Sequence, residues 1–340
     1  MRYYVQRVFQ AIITFVGGLF LTYCLYRLMP GGPVQAIVAD IVSRRVRQGR
    51  PVDAQEIGAQ AERMTGINPE HGILEGFYEY VFNIVVYQDF GRSIGFADPV
   101  FDVLFRAMPW SLFISGYGLI LGFTATVLIG TLMAWNEGTK TDSGLTVFVL
   151  TMNSIPYYVG AIFMLVVLGF EWGVLPTGGR YPQSAEPGFN PEFMIGVAKH
   201  GAMPILSTFI IGFAGGSLGM RANTVRIMGS DYLRSARLRG LSTNRILTRY
   251  LARNAILPIY TGLVIGISGV FSSGVITEQI FQYPGVGWYM FEGLQLQDYP
   301  LIMGGFVFFA GLTVIAILIA DLTYGLIDPR AGDAASRESF

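Results

Sequence analysis

The sequence predicts an all-α polytopic membrane protein with six transmembrane helices and cytoplasmic termini. Three observations carry this. Of 340 residues, 52% are hydrophobic and 14% charged, against about 25% charged in an ordinary soluble domain. The apolar residues gather in runs long enough to cross a hydrocarbon core of about 30 Å. Between two of these runs lies one strongly basic stretch, Gly229 to Pro258, where Arg234, Arg237, Arg239, Arg245, Arg249 and Arg253 accompany a single acid, Asp231. Lys and Arg in short loops resist translocation, so this stretch belongs in the cytoplasm and orients the spans around it.

The first run, Val8 to Met29, follows Arg2 and Arg7. It is longer than the apolar core of a secretory signal and lacks a small-residue cleavage site, so it reads as a retained span with its N-terminus inside. Residues 34–106 then hold no span and form a helical extracytoplasmic insertion. Asp53 and Glu56 are spaced as a capping pair, and Asn68-Pro69-Glu70 reads as a second helix start, since proline suits the first turn. Beyond it Ile73, Leu74, Phe77, Tyr80, Val81 and Ile84 recur at helical spacing, a stripe more often core than binding surface. The arginines of this segment do not force it inside, because long loops translocate largely regardless of charge.

Trp110 to Trp135 is the second span, with tryptophan near each end as an interfacial anchor. A short cytoplasmic turn with Lys140 leads to the third span, Gly144 to Phe170, which Asn153, Ser154 and Pro156 interrupt. A proline in a membrane helix frees a carbonyl that neighbouring groups must satisfy. A packing kink and a substrate contact are both open there. Glu171 to His200, rich in Pro and Gly, reads as an outside loop. The fourth span, Met203 to Met220, carries Gly212, Gly215, Gly216 and Gly219. Small residues let membrane helices approach closely, either in a dimer seam or within one chain.

Within the basic loop, Asp231 to Arg239 favours a short helix, with Gly240 suited to a left-handed cap. Ser242 stands where it can cap a second helix that runs toward Pro258. Pro258 to Val275 is the fifth span. Near its outer end sits Glu278, costly in lipid unless hydrated or paired. Glu278 and Gln282 are candidates for an external gate, with an acid at the water interface as the plain alternative. Leu301 to Leu322 is the sixth span.

Charge alone would make the basic loop a topology signal and nothing more. Its local pattern is more specific. Ser235-Ala236-Arg237 with Gly240-Leu241, then Arg253-Asn254-Ala255 and Leu257-Pro258, resembles the EAA loop of ABC-importer permeases, and within them the peptide/nickel branch. Ser235 replaces the Glu of the general pattern, and the gap to Leu257-Pro258 is longer; the peptide branch commonly shows both departures. Further likenesses follow in the family's order. They are the RLMPGGP at the end of the first span, Asp89-Phe90-Gly91-Arg92-Ser93 with Pro99-Val100, Ser154 with Pro156 and Tyr158, and Leu175-Pro176 with Gly178-Gly179. Thr277-Glu278 through Tyr283-Pro284-Gly285 and the terminal Asp321, Asp328-Pro329-Arg330 complete the series. Gly32 stands where the family often has Asp, so any role of that acid is missing.

The resemblance implies that the chain is one permease domain, 1–340, with residues 221–257 as the cytoplasmic coupling loop. It implies a second homologous permease, two cytoplasmic ATPase subunits that hold ATP and Mg, and an extracytoplasmic substrate-binding protein. It also implies that Asp231, Ala236, Arg237, Gly240 and Leu241 form the ATPase-coupling contact. Peptides are the expected cargo; oligosaccharides or nickel would keep the same machine.

The chain itself carries no phosphate-binding G-x-x-x-x-G-K-[ST] loop and no recognisable hydrolase constellation, so no enzyme activity of its own is expected. His71 and His200 are isolated and Cys24 is the one cysteine, which leaves no metal site. The formal net charge is zero, so nothing points to nucleic acid, and lipid is the solvent of the spans. An ion-coupled carrier or channel is the alternative of another class. The near absence of ionisable residues deep in the spans, and of internal repeats, weighs against it.

Overall fold

The structure is a computed structural model that describes residues 2–28, 33–65, 71–252 and 274–327. Among these, helix dominates, and the sole extended pairing is an isolated bridge between Arg92 and Pro99. The chain divides into two compact units, Met1–Pro109 with Gly285–Leu318 and Trp110–Pro284 with Ile319–Phe340.

The first unit begins with α1 (Arg2–Leu28), whose Phe9, Ile12, Ile13, Leu21 and Leu25 are exposed. An apolar helix left uncovered by its own chain is suited to lipid. α2 (Pro33–Arg47) and α3 (Ala54–Thr65) then pair through Ile37, Ile41, Ile57 and Ala61. Asp53 caps α3 by accepting the Gln55 N–H at 3.0 Å. The expected reciprocal partner, Glu56, instead takes Arg45 at 2.6 Å and ties α3 to α2. The Asn68-Pro69-Glu70 start lies outside the described residues, and α4 (Ile73–Phe82) is entered through an extended Gly72. Of its apolar stripe, Phe77, Tyr80, Val81 and Ile84 pack into the core with Leu19 and Tyr23, whereas Leu74 is 75% exposed. The stripe is therefore narrower than the sequence spacing suggests. α4 continues as a π-helical turn, Asn83–Tyr87.

The Asp89–Ser93 segment folds as a tight turn on Gly91, φ 83°. It is held by Asp298, whose carboxylate accepts the Ser93 hydroxyl, the Gly95 N–H at 2.9 Å and the Leu301 N–H at 3.2 Å. Asp298 lies just before α13 (Tyr299–Ile327), so one fully buried acid caps a span and fixes a loop. α12 (Val286–Gln295) packs Val286 and Met290 into the same core.

α5 (Val100–Trp135) starts ten residues before the span expected from Trp110. Val100, Val103, Leu104 and Ala107 are buried core residues, so the first turns are paid in packing rather than by lipid. In the second unit, α6 (Lys140–Ser154) and α7 (Tyr157–Met164, continuing as a π-helical turn Leu165–Glu171) meet at 94°. The expected third span is thus sharply broken. Pro156 has no N–H for the Met152 carbonyl, and the Ile155 N–H takes that carbonyl at 3.3 Å.

α8 (Pro191–Met228) likewise exceeds the expected span, Met203 to Met220. Its 38 residues reach about 57 Å at 1.5 Å per residue, well beyond the hydrocarbon core. Its start is fixed by Asn190, whose side chain accepts the Phe193 N–H at 2.8 Å, followed by Pro191 at the first position. The last third of the expected outside loop is therefore helix. Of the glycines, Gly216 meets α5 within the chain: a Cβ there would stand 2.7 Å from Thr126 Oγ1. That position serves intramolecular packing.

Four helical segments, Gln6–Leu25, Val100–Trp135, Pro191–Met228 and Tyr299–Leu318, are each long and apolar enough to cross a membrane, and α6 with α7 makes a bent fifth. The expected span from Pro258 to Val275 falls almost wholly outside the described residues, as do RLMPGGP from Met29 to Gly32 and the terminal Asp328-Pro329-Arg330.

Candidate coupling site

After α8, Gly229 and Ser230 turn the chain into α9 (Asp231–Leu238). Leu233 and Ala236 lie three apart and are both buried, which sets the inner face of this helix. Gly240 follows at φ 69°. The Gly240 N–H donates to Arg237 O at 2.9 Å and the Leu241 N–H to Ala236 O at 3.3 Å. This is the Schellman arrangement, in which a left-handed residue returns the chain and satisfies the last carbonyls. No atom lies within 4 Å of a Cβ built on Gly240, so the requirement for glycine comes from the backbone and not from crowding.

Ser242 takes the N-cap position of α10 (Thr243–Arg245), with extended backbone, but its hydroxyl makes no capping bond. The Ser242 carbonyl accepts the first helical bond, from the Ile246 N–H at 3.0 Å. α10 continues in π-helical geometry from Ile246 to Ala252. Ile246 and Leu251 close over Leu233 and Ala236, with Trp135, Ile227, Met228, Leu241 and Tyr250 packed around them.

The five expected coupling residues therefore separate by environment. Asp231, Arg237 and Gly240 are exposed, Leu241 is half-buried, and Ala236 is buried. Ala236 holds the helix to its own loop and cannot itself be a contact surface. The outward face carries Tyr232, Arg234, Arg237, Leu238 and Arg239, with Leu238 82% exposed. An exposed leucine flanked by guanidinium groups suits a partner surface that combines an apolar pocket with acids. Arg253 and Asn254, together with Leu257-Pro258, lie outside the described residues.

The two candidate gate residues face different surroundings. Glu278, on α11 (Gly274–Ile280), is fully buried and accepts the Ser111 hydroxyl at 2.6 Å. Gln282 is exposed in a left-handed turn, φ 45°. Its carbonyl accepts the Gly179 N–H at 2.9 Å, which fastens the Leu175–Gly179 loop to the end of α11. Next to Glu278, the Thr277 hydroxyl is 2.6 Å from Tyr157 Oη, which is 3.1 Å from Ser207 Oγ. Tyr157 is the first residue after the α6–α7 break, so this network ties α7 to α8 and α11. Composition and spacing give no sign of these pairings, because each joins residues fifty or more apart in sequence. The two histidines are engaged singly, His200 Nδ1 with Gly178 O at 2.8 Å and His71 Nδ1 with Glu79 at 2.6 Å.

Residues 126–333 match the family of binding-protein-dependent transport system inner membrane components. The chain belongs to this family. It is a multi-pass membrane permease component. Relatives align along almost its entire length. The di/tripeptide transport system permease protein DppB of Pseudomonas aeruginosa (strain UCBPP-PA14) is 25% identical over 338 residues, covering 96% of this chain and 97% of the relative. The dipeptide transport system permease protein DppB of Escherichia coli (strain K12) is 25% identical over 351 residues, 97% and 98%. The oligopeptide transport system permease protein AppB of Bacillus subtilis (strain 168) is 29% identical over 332 residues, 96% and 98%.

Proposed function

We propose that this chain is a permease subunit of an ATP-driven importer for di- and oligopeptides. It forms the translocation pathway with a second, related permease. Six spans, with both termini in the cytoplasm and residues 34–106 outside, complete its topology. Two ATPase subunits bind ATP and Mg and receive α9. A substrate-binding protein delivers the cargo from the outer side. Closing of the ATPase pair displaces α9, and the permease pair switches between inward- and outward-facing states.

The observation that carries this reading is the construction of α9. Leu233 and Ala236 anchor it inward, the Gly240 cap ends it, and an exposed basic face with Leu238 is left outward. A helix held on one face and open on the other can pass a push from a partner to the body behind it. The names of the relatives supply the cargo class, since each named above is a peptide permease. Glu278 is read as a buried anchor near the outer end of the pathway, and Gln282 as the turn that fixes the adjoining loop.

Uptake by cells lacking only this chain tests the proposal, with labelled di- and oligopeptides, an oligosaccharide and nickel offered in parallel. Loss of peptide uptake alone supports it. Loss of sugar or nickel uptake with peptides untouched moves the cargo and keeps the machine. Uptake that persists after removal of every copurifying ATPase would favour an ion-coupled carrier.

A further inference from the structure

The short turn between α5 and α6 touches the coupling loop from one side and α8 from the other. On the first side, the Arg237 guanidinium of α9 lies over the ring of Trp135, the last residue of α5, 5.9 Å from its centroid. This is at the outer reach of a cation–π contact. The same indole packs against the cluster of Leu233, Ala236, Ile246 and Leu251. On the second side, Asp142 in the first turn of α6 accepts both arms of Arg221, Nε to Oδ1 at 2.8 Å and Nη2 to Oδ2 at 2.7 Å. Asp142 is 5% exposed and also accepts the Gly138 N–H at 3.2 Å. Glu137 stands 4.0 Å from the same guanidinium. A bidentate pair of this kind fixes direction as well as distance. Arg221 lies in α8 about two turns before the helix ends at Met228 and the chain turns into α9.

We infer that the Trp135–Asp142 turn is a clamp that makes α5, α6 and α8 move with α9, with Trp135, Asp142 and Arg221 as its positioning residues. The inference rests on the importer reading above. Without the clamp, α9 is joined to α8 through Gly229 and Ser230 and through the apolar packing of Ile227 and Met228 against its cluster, contacts that fix no direction and let a push on α9 be absorbed by rotation at that link. With it, Arg237 loads the end of α5 and Arg221 loads the start of α6. α6 leads directly to the 94° break at Pro156, beyond which Tyr157 is bound to α8 and α11. The clamp thus places the coupling helix in mechanical series with the broken span.

The test uses the complete complex in proteoliposomes, with radiolabelled dialanine uptake and phosphate release measured together as uptake per ATP. D142N/R221M removes both charges at once, so no buried charge is left alone. Its ATPase rate should stay near wild type while uptake per ATP falls about five-fold or more, the range of a typical coupling free energy. W135L should act in the same direction from the other side of the turn, and W135F, which keeps a ring under Arg237, should retain wild-type coupling. Wild-type uptake per ATP in both D142N/R221M and W135L would overturn the clamp. So would a parallel loss of hydrolysis and uptake with their ratio unchanged, which marks a structural role only. A wild-type complex with no ATP-driven uptake of dialanine, an oligopeptide, the oligosaccharide or nickel would overturn the importer reading, and the clamp with it.

Discussion

Gly240 shows what one residue does in this molecule. Its φ of 69° is strained for any side chain, and a β-branched one is penalised most. Gly240→Val should leave the chain inserted while uptake falls at undiminished ATP hydrolysis, and Gly240→Asn, tolerant of that conformation, should transport; normal uptake by the valine variant would show that the cap is dispensable. Asp298 carries a structural load instead. Replacing it by alanine strands the Ser93 hydroxyl and the Gly95 and Leu301 N–H groups, at a cost of about 2 kcal/mol or more. Thermal unfolding in detergent should register that loss. His71 titrates above the ordinary 6.5 because Glu79 hydrogen-bonds its ring, a carboxylate whose charge acts the same way. A raised folded pKa means that this contact is fully present below the unfolded pKa and is lost as pH rises through the folded one. With two histidines in the chain, an NMR titration resolves His71 directly. Its pKa should lie above 6.5 and fall toward that value in Glu79→Gln.

Elements were legible in the sequence where a local rule decides them. α9 and its glycine cap follow from one helix-length polar stretch and one glycine, and the apolar runs announce α1, α5, α8 and α13 because lipid demands long uninterrupted hydrophobicity. Helix ends were less legible. The start of α8 is set by Asn190-Pro191, a signal as clear as Asn68-Pro69 but set inside a Pro- and Gly-rich stretch that reads as loop. α5 begins early because Val100 to Ala107 bury against protein rather than lipid, which hydropathy cannot distinguish. The depth of the break at Pro156 also escaped, since a proline announces a kink but not its angle. Tyr157, Ser207 and Thr277 hold that break across three helices, and no periodicity pairs them. Tyr157→Phe removes both hydroxyl contacts and should cost about 1–3 kcal/mol of stability, read as a lower unfolding temperature in detergent; an unchanged temperature would mean that the break is held by packing alone.

At the scale of the whole molecule, family membership rests on motifs spread from the first span to the last, and on a family match over residues 126–333. The cargo is less legible, because permeases of this kind receive it from a separate binding protein. The residues expected to couple were read as one stretch, and burial sorts that stretch: Ala236 anchors it to its own loop, whereas Leu238 and the arginines face outward. That division gives the most direct test of ATPase docking through α9. With Cys24, the single native cysteine, replaced, a benzophenone label is placed on Leu238→Cys or on Ala236→Cys in the assembled complex and irradiated. Leu238→Cys should cross-link to the ATPase subunit and Ala236→Cys should remain within its own chain. An ATPase-bound complex in which Leu238→Cys gives no cross-link to that subunit would contradict docking through this helix.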